Sequence, residues 1–263
     1  MRVIRFMIQS LVCLSFCILS SCIGKAVSKV LPQRGYKAEE VEKIKRVAIV
    51  AFDVLQYQPT GVASKVVGSV STVQTVQNME PMESPLSTEM YHYLEDQLKT
   101  QRKWHVISQQ DVMSNPVYKK LYEEKKTKLQ SKISANHFQR SLHVKGILRP
   151  VNPEYLLTAD EVQQLRQALK VDGLVMAQIA FSTKQNDFTG LGIANIYLMS
   201  FFRFHLFEAG TNQKIWFDQG FEGPIPDESL GKVSGLEDAS KIEKLARPLA
   251  RQTIDQFFSS ATK

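Results

Sequence analysis

Cysteine is nearly missing from this chain. The 263 residues hold three, Cys13, Cys17 and Cys22, all close to the N-terminus. No disulfide, iron–sulfur cluster or thiol nucleophile can therefore be built beyond residue 22. Long apolar runs are scarce as well. After residue 22 no stretch approaches the roughly 20 residues of a membrane-spanning helix. The five histidines, His92, His105, His137, His143 and His205, are scattered, and none has the spacing of a zinc pair. No phosphate-binding loop is present: Gly190-Leu191-Gly192 lacks a following helix signal and reads as a turn. A Gly-x-Ser-x-Gly elbow is absent, and no pair of carboxylates stands out. These absences point away from catalysis and lead us to expect neither a metal nor a cofactor.

What is present begins at the N-terminus. Arg2 and Arg5 precede an apolar run over residues 6–19, about the length of an export-signal core. The run ends in Leu19-Ser20-Ser21-Cys22. That tetrad resembles the lipobox of bacterial lipoproteins, with a large apolar residue, two small ones and a cysteine. Small residues admit a peptidase to the backbone, and the thiol is the group that takes a diacylglyceryl chain. The expectation is a signal peptide over residues 1–21 and a lipid-bearing Cys22 as first mature residue. The resemblance implies palmitate or similar acyl chains on Cys22, and two or more chains anchor stably where one does not. Ile23 follows the cysteine in place of the aspartate that favours inner-membrane retention. The expected location is therefore the outer membrane, facing the periplasm, with surface exposure left open.

Beyond Cys22 the length suits one large domain. Residues 22–45 read as the lipidated end and a tether, with a short helical turn near 37–46. A single α/β domain is expected over residues 46–258, with insertions at 54–83 and 111–149. The run RVAIVAFD over 46–53 reads as a buried strand. Ser84-Pro85 caps a helix whose apolar face is Leu86, Met90, Tyr93, Leu94 and Leu98. Residues 104–108 form a short strand. Thr158-Ala159-Asp160-Glu161 is a capping box that opens a helix, and residues 174–181 form the next strand. Residues 195–207 alternate: Ile196, Leu198, Ser200, Phe202, Phe204 and Leu206 face the core, and Tyr197, Met199, Phe201, Arg203, His205 and Phe207 form a mixed face. A turn at 209–212 returns the chain as a hairpin partner over 214–219. The last helix, over 237–258, contains Pro248, which predicts a kink or a division in two. The fold class is α/β (α+β), a mixed sheet of about five strands with a C-terminal β-hairpin, flanked by helices. Residues 54–83 carry few charges and read as a long loop or an amphipathic β excursion.

Three segments, RVAIVAF at 46–52, ALKVDGLVMAQIAF at 168–181 and FHLFEAGTNQKIWFDQG at 204–220, carry a resemblance. Their order resembles a family of bacterial envelope proteins. It includes the curli secretion-channel lipoprotein, the outer-membrane activators of penicillin-binding proteins, and the N-terminal domain of the Tol system's β-propeller protein. The resemblance covers residues 45–110 and 158–258 and implies a non-enzymatic module of secretion, envelope biogenesis or cell-wall regulation. In the channel member, insertions become membrane-spanning hairpins, so a ring-forming outer-membrane pore is one alternative. Neither insertion here shows the alternation of a barrel strand. An envelope hydrolase is the other alternative.

Charge is the last informative feature. Residues 115–149 contain Lys119, Lys120, Lys125, Lys126, Lys128, Lys132, Arg140, Lys145 and Arg149. Only Glu123 and Glu124 oppose them, so this segment holds an excess equal to the whole chain's formal +7. Tyr118, Tyr122 and Phe138 are interleaved. The nine cations are the candidate site for an anionic partner, whether lipid, lipopolysaccharide, cell-wall polymer or acidic protein. Nucleic acid is not expected, because an export signal removes the chain from it. The expected partners are thus the membrane, through Cys22, and an envelope protein.

Overall fold

The computed structural model describes residues 34–56, 82–128, 140–150, 156–186, 195–208, 213–229, 231–232 and 239–260. The signal segment, Leu19, Ser20, Ser21, Cys22, Lys132 and most of the first insertion lie outside these residues.

The apolar run that opens the domain becomes its central strand, β2 (Arg46–Gln56), following β1 (Arg34–Tyr36). Residues 47–54 are fully buried, as expected where both faces of a strand are covered. β2 runs parallel to β6 (Gly173–Asn186) and, at its start, to β4 (His105–Val106). It runs antiparallel to β5 (Arg140–His143), which in turn pairs with β3 (Met82–Glu83). From β6 the sheet continues antiparallel through β7 (Asn195–Glu208) and β8 (Lys214–Glu222) to β1. The order is β1-β8-β7-β6-β2-β5-β3, with β4 beside β2 and β9 (Gly231–Lys232) beside β7. The fold is a mixed α/β structure, and the predicted hairpin packs against the predicted strand in register, Phe204 opposite Ala177 and Trp216 opposite Leu206.

Six helices are seen among the described residues: α1 (Ala38–Lys43), α2 (Pro85–Gln101), α3 (Gln109–Ser114), α4 (Pro116–Lys128), α5 (Ala159–Leu169) and α6 (Ala239–Ser260). Local chemistry explains where they start. The Ser84 hydroxyl accepts from Leu86 N at 3.2 Å, with Pro85 in the first turn of α2. At α5, Thr158 N donates to Glu161 Oε2 at 2.7 Å while Glu161 N donates to Thr158 Oγ1 at 3.3 Å, closing the capping box.

α2 and α6 share one face of the sheet. Phe257 of α6 stacks on Trp216 at 5.0 Å and meets Phe202 and Phe204, while Tyr91 of α2 stands edge-on to Phe52. The two helices are tied by Tyr93 Oη to Asp255 at 2.7 Å and by Arg247 and Arg251 to Glu89. The opposite face carries Leu174, Met176, Gln178 and Asp53, all buried, under α3, α4, α5 and the chain after β5. Among the described residues no helix is long and apolar enough to cross a membrane.

Four expectations change. The domain does not begin at residue 46: β1 pairs with β8, and Val41 and Ile44 are buried, so residues 34–45 belong to the fold and not to a tether. The sheet has nine strands because β1, β3, β5 and β9, of two to four residues each, add to the five expected, β2, β4, β6, β7 and β8. The segment 111–149 is not an insertion set apart from the domain, since among its described residues Val112, Tyr118, Leu121, Leu142, Val144, Ile147 and Leu148 are buried in the common core. α6 runs unbroken through Pro248, which sits on its exposed side while Ala246, Leu249 and Ala250 hold the helix to the sheet.

Candidate functional site

A bulge in β2 creates a polar focus. The β2–β6 register shifts between Ile49 and Ala51, so Val50 has no residue opposite it on β6. Tyr118 Oη donates to the Val50 carbonyl at 2.8 Å and accepts from Leu148 N at 2.8 Å. The hydroxyl thereby fastens the chain after β5 to the central strand, and Phe52 N donates to Leu148 O at 2.9 Å beside it.

Next to this clamp a row of polar residues crosses the sheet. His143, Asp53, Gln178 and Arg203 stand opposite one another on β5, β2, β6 and β7. Gln178 Nε2 donates to Asp53 Oδ1 at 2.9 Å and to Pro150 O at 3.2 Å. Ser141 Oγ donates to Asp53 Oδ2 at 3.1 Å. Arg203 donates through Nη1 to Gln178 Oε1 at 3.1 Å and through Nε to Gln219 O at 3.0 Å. Burial pushes the Asp53 carboxyl up to about 6, against the pull of Gln178, Ser141 and the charges of Arg149 and Arg203. With Ser141 beside the row, Ser, His and Asp meet but do not form the relay of a hydrolase, because the serine hydroxyl bonds the carboxylate directly and Ser141 is fully buried. Its effect is to hold β5 and residues 149–150 against β2 and β6.

The raised carboxyl gives a sign for pH dependence. Asp53 contributes stability that is full below the unfolded value near 3.8 and is lost as pH rises through about 6. Asp53→Asn, which keeps the shape of the protonated form, is expected to flatten the stability profile between pH 4 and 6 by roughly 1–3 kcal/mol. Thermal melts across that range check it; an unchanged slope would show that the carboxyl does not titrate there.

The basic candidates are scattered by the fold. Arg149 is 6% exposed and faces Asp53, where desolvation lowers its affinity for the proton and the carboxylate raises it. It is an interior cation and not part of a surface patch. Its sequence signal was misleading because its partner lies far away along the chain. Lys125 reaches across to Glu161 at 2.8 Å and joins α4 to the capping box of α5, so it is also taken. Lys126 pairs with Glu123, and Lys120 approaches Glu124 at 4.0 Å. Lys119 and Lys145 are exposed. The side chains of Lys128 and Arg140 are outside the described set, as is Lys132. Tyr118 is buried and Tyr122 stacks on it at 6.5 Å, so these rings serve the core. Most of the described cations on α4 are therefore neutralised locally.

An open cleft of about 650 Å³ lies elsewhere, between the end of β1, α1 and the end of α2. Its wall includes Tyr36, Glu42, Lys45, Arg102, Lys103 and Trp104. Arg102 follows the last residue of α2 as its C-cap, and Lys103 takes the left-handed conformation with φ 57°, turning the chain so that Trp104 enters the core. The Arg102 guanidinium lies 4.3 Å from the centroid of Trp216 and 5.8 Å from that of Tyr36. It has no carboxylate partner among the described residues, in contrast to Arg34, which meets Asp218 at 2.7 Å. This volume is in the range of ligand pockets, and three cations against one carboxylate suit an anion resting on an aromatic floor. Sequence reading missed it because Tyr36 fell in the presumed tether. Among the described residues no group of three or more histidine, cysteine or acidic side chains gathers as metal ligands.

No family model and no curated protein matches this sequence. Among solved structures, the chain is similar to the hypothetical protein CT253 from Chlamydia trachomatis, at 13% identity over 83% of this chain and 98% of that one, with a TM-score of 0.33.

Proposed function

We propose that the chain is a lipid-anchored bacterial envelope protein. Its α/β domain acts as a non-enzymatic interaction or assembly module in secretion, envelope biogenesis or cell-wall regulation. The observation that carries this reading is the run of Arg2, Arg5, an apolar core and Leu19-Ser20-Ser21-Cys22. Acyl chains on Cys22 would hold the domain at the outer membrane, on its periplasmic side, within reach of an envelope protein partner. The likeness of residues 46–52, 168–181 and 204–220 to the envelope proteins named above supports the same assignment. The location of the polar residues adds to it: Asp53, Ser141 and Gln178 are sealed inside, while the open cleft offers charge and aromatic rings suited to binding.

The test is the mass of the N-terminal peptide of the protein from its own membranes. The expected peptide begins at residue 22 and carries diacylglyceryl on the thiol and acyl on the amine. A peptide that begins elsewhere, or an unmodified Cys22, overturns the proposal.

A further inference from the structure

We infer that the cleft of Tyr36, Arg102 and Trp104 binds the phosphate of an anionic lipid headgroup, so that the domain touches the bilayer through a built site as well as through its anchor. This rests on the lipid-anchor reading above.

Three observations lead there. The first is charge. Lys45, Arg102 and Lys103 line the cleft with Glu42 as the one acidic residue of its wall, while the Asp172 carboxylate nearby is taken by the backbone N–H groups of Lys45 and Arg46. Lys45 Nζ spends one hydrogen on a backbone oxygen, Glu42 O at 3.2 Å, and none of the three cations is held by a carboxylate among the described residues. On α4, by contrast, Lys120, Lys125 and Lys126 already have acidic partners. The second is the state of Arg102. Its Nε and Nη2, which share the edge that forks onto an oxyanion, have no acceptor among the described residues. Both atoms are covered, so full engagement needs the side chains around the guanidinium to move, with the Tyr36 ring as the exposed neighbour. That ring is 39% exposed and belongs to a three-residue edge strand, and its displacement gives up an edge-on contact with Trp216 at 5.4 Å. The third is position. Tyr36 lies fourteen residues after Cys22, a span of about 50 Å at full extension. The chain enters the domain beside this cleft, so an acylated Cys22 would keep the cleft within about 50 Å of the headgroup layer. Locally tethered ligands act at high effective concentration, so a weak site suffices.

The site carries its own reporter. The chain has two tryptophans: Trp104 lines the cleft, and Trp216 lies beneath the Arg102 guanidinium, the two rings 6.4 Å apart. The purified acylated protein in nonionic detergent is titrated with short-chain phosphatidylglycerol, with phosphatidylcholine and with inorganic phosphate, while tryptophan emission is followed. Phosphatidylglycerol is expected to give a saturable change that the zwitterionic lipid does not. Lys45→Gln with Lys103→Gln, at two exposed positions, is expected to weaken it roughly 25-fold, about fivefold for each charge. Arg102→Gln is expected to abolish it, with the melting curve of each variant serving as the folding control. Equal responses to both lipids, an unaffected lysine double variant, or no emission change overturns the proposal. A response to inorganic phosphate as tight as that to phosphatidylglycerol makes this a free-phosphate site and also overturns it. The anchor is read separately by the mass at residue 22, so a cleft that binds on a chain without acyl groups would sink the anchor and not the site.

Discussion

Cys22→Ser is expected to move nearly all of the protein from the membrane to the soluble fraction of the envelope and to abolish incorporation of labelled palmitate. The size of the effect follows from chain burial, about 0.8 kcal/mol for each methylene placed in the bilayer. Two or three acyl chains make dissociation negligible, while none leaves the domain with surface contacts alone. The described part of the chain does not supply a replacement, since its apolar side chains are spent on the core: Tyr36 and Ile225 are its large exposed hydrophobic residues. Residual attachment of the serine variant should be weak and should disappear at high salt, because screened charge would be all that remains. Palmitate still incorporated into the variant, or salt-resistant retention on membranes, contradicts the assignment of Cys22.

Phe257→Ala is expected to be the most damaging change on α6. Phe257 is 2% exposed and meets five other rings: Phe202 at 5.0 Å, Phe204 at 5.2 Å, Trp216 at 5.0 Å, Phe221 at 5.7 Å and Phe258 at 5.1 Å. Those neighbours come from β7, β8 and α6, so the residue joins the terminal helix to the hairpin. Truncation removes buried area and leaves a cavity bounded by rigid rings that collapse poorly, at a cost of about 3–5 kcal/mol. For a domain of this size that corresponds to a melting temperature lower by roughly 10 °C. Phe257→Leu, which keeps most of the volume, should lose under half as much. A Phe257→Ala protein that melts within about 2 °C of the parent would show that the cluster is loosely packed.

Long, strongly patterned elements were legible in the sequence. β2, β6 and the β7–β8 hairpin announce themselves through apolar runs and alternation, and α2 and α5 through Pro85 and a capping box. Short strands were not legible, because their only warrant is a partner elsewhere. Arg34-Gly35-Tyr36 has no strand signature; it is one because residues 216–218 present a free edge, and because Gly35 leaves room for the Phe217 ring. Charge was the least legible property. Nine cations in one segment suggested a surface, yet Arg149 is drawn inside by Asp53 and Lys125 across to Glu161, partners distant in sequence. The mixed face of β7 shows the same lesson: Met199, His205 and Phe207 are buried there while Phe201 and Arg203 are only half so.

The placement of β1 has a mechanical consequence. It is the last strand on its side of the sheet, and it is where the N-terminal segment joins the fold. Any tension on that segment enters the domain at Arg34. The load falls first on three antiparallel residue pairs and on the Arg34–Asp218 clip; once these yield, it passes along the chain to α1, which the buried Val41 and Ile44 hold ahead of β2. β1 would therefore act as a fuse: it can peel away under strain, lengthen the leash by a few residues and uncover Trp216, with the central strands still closed.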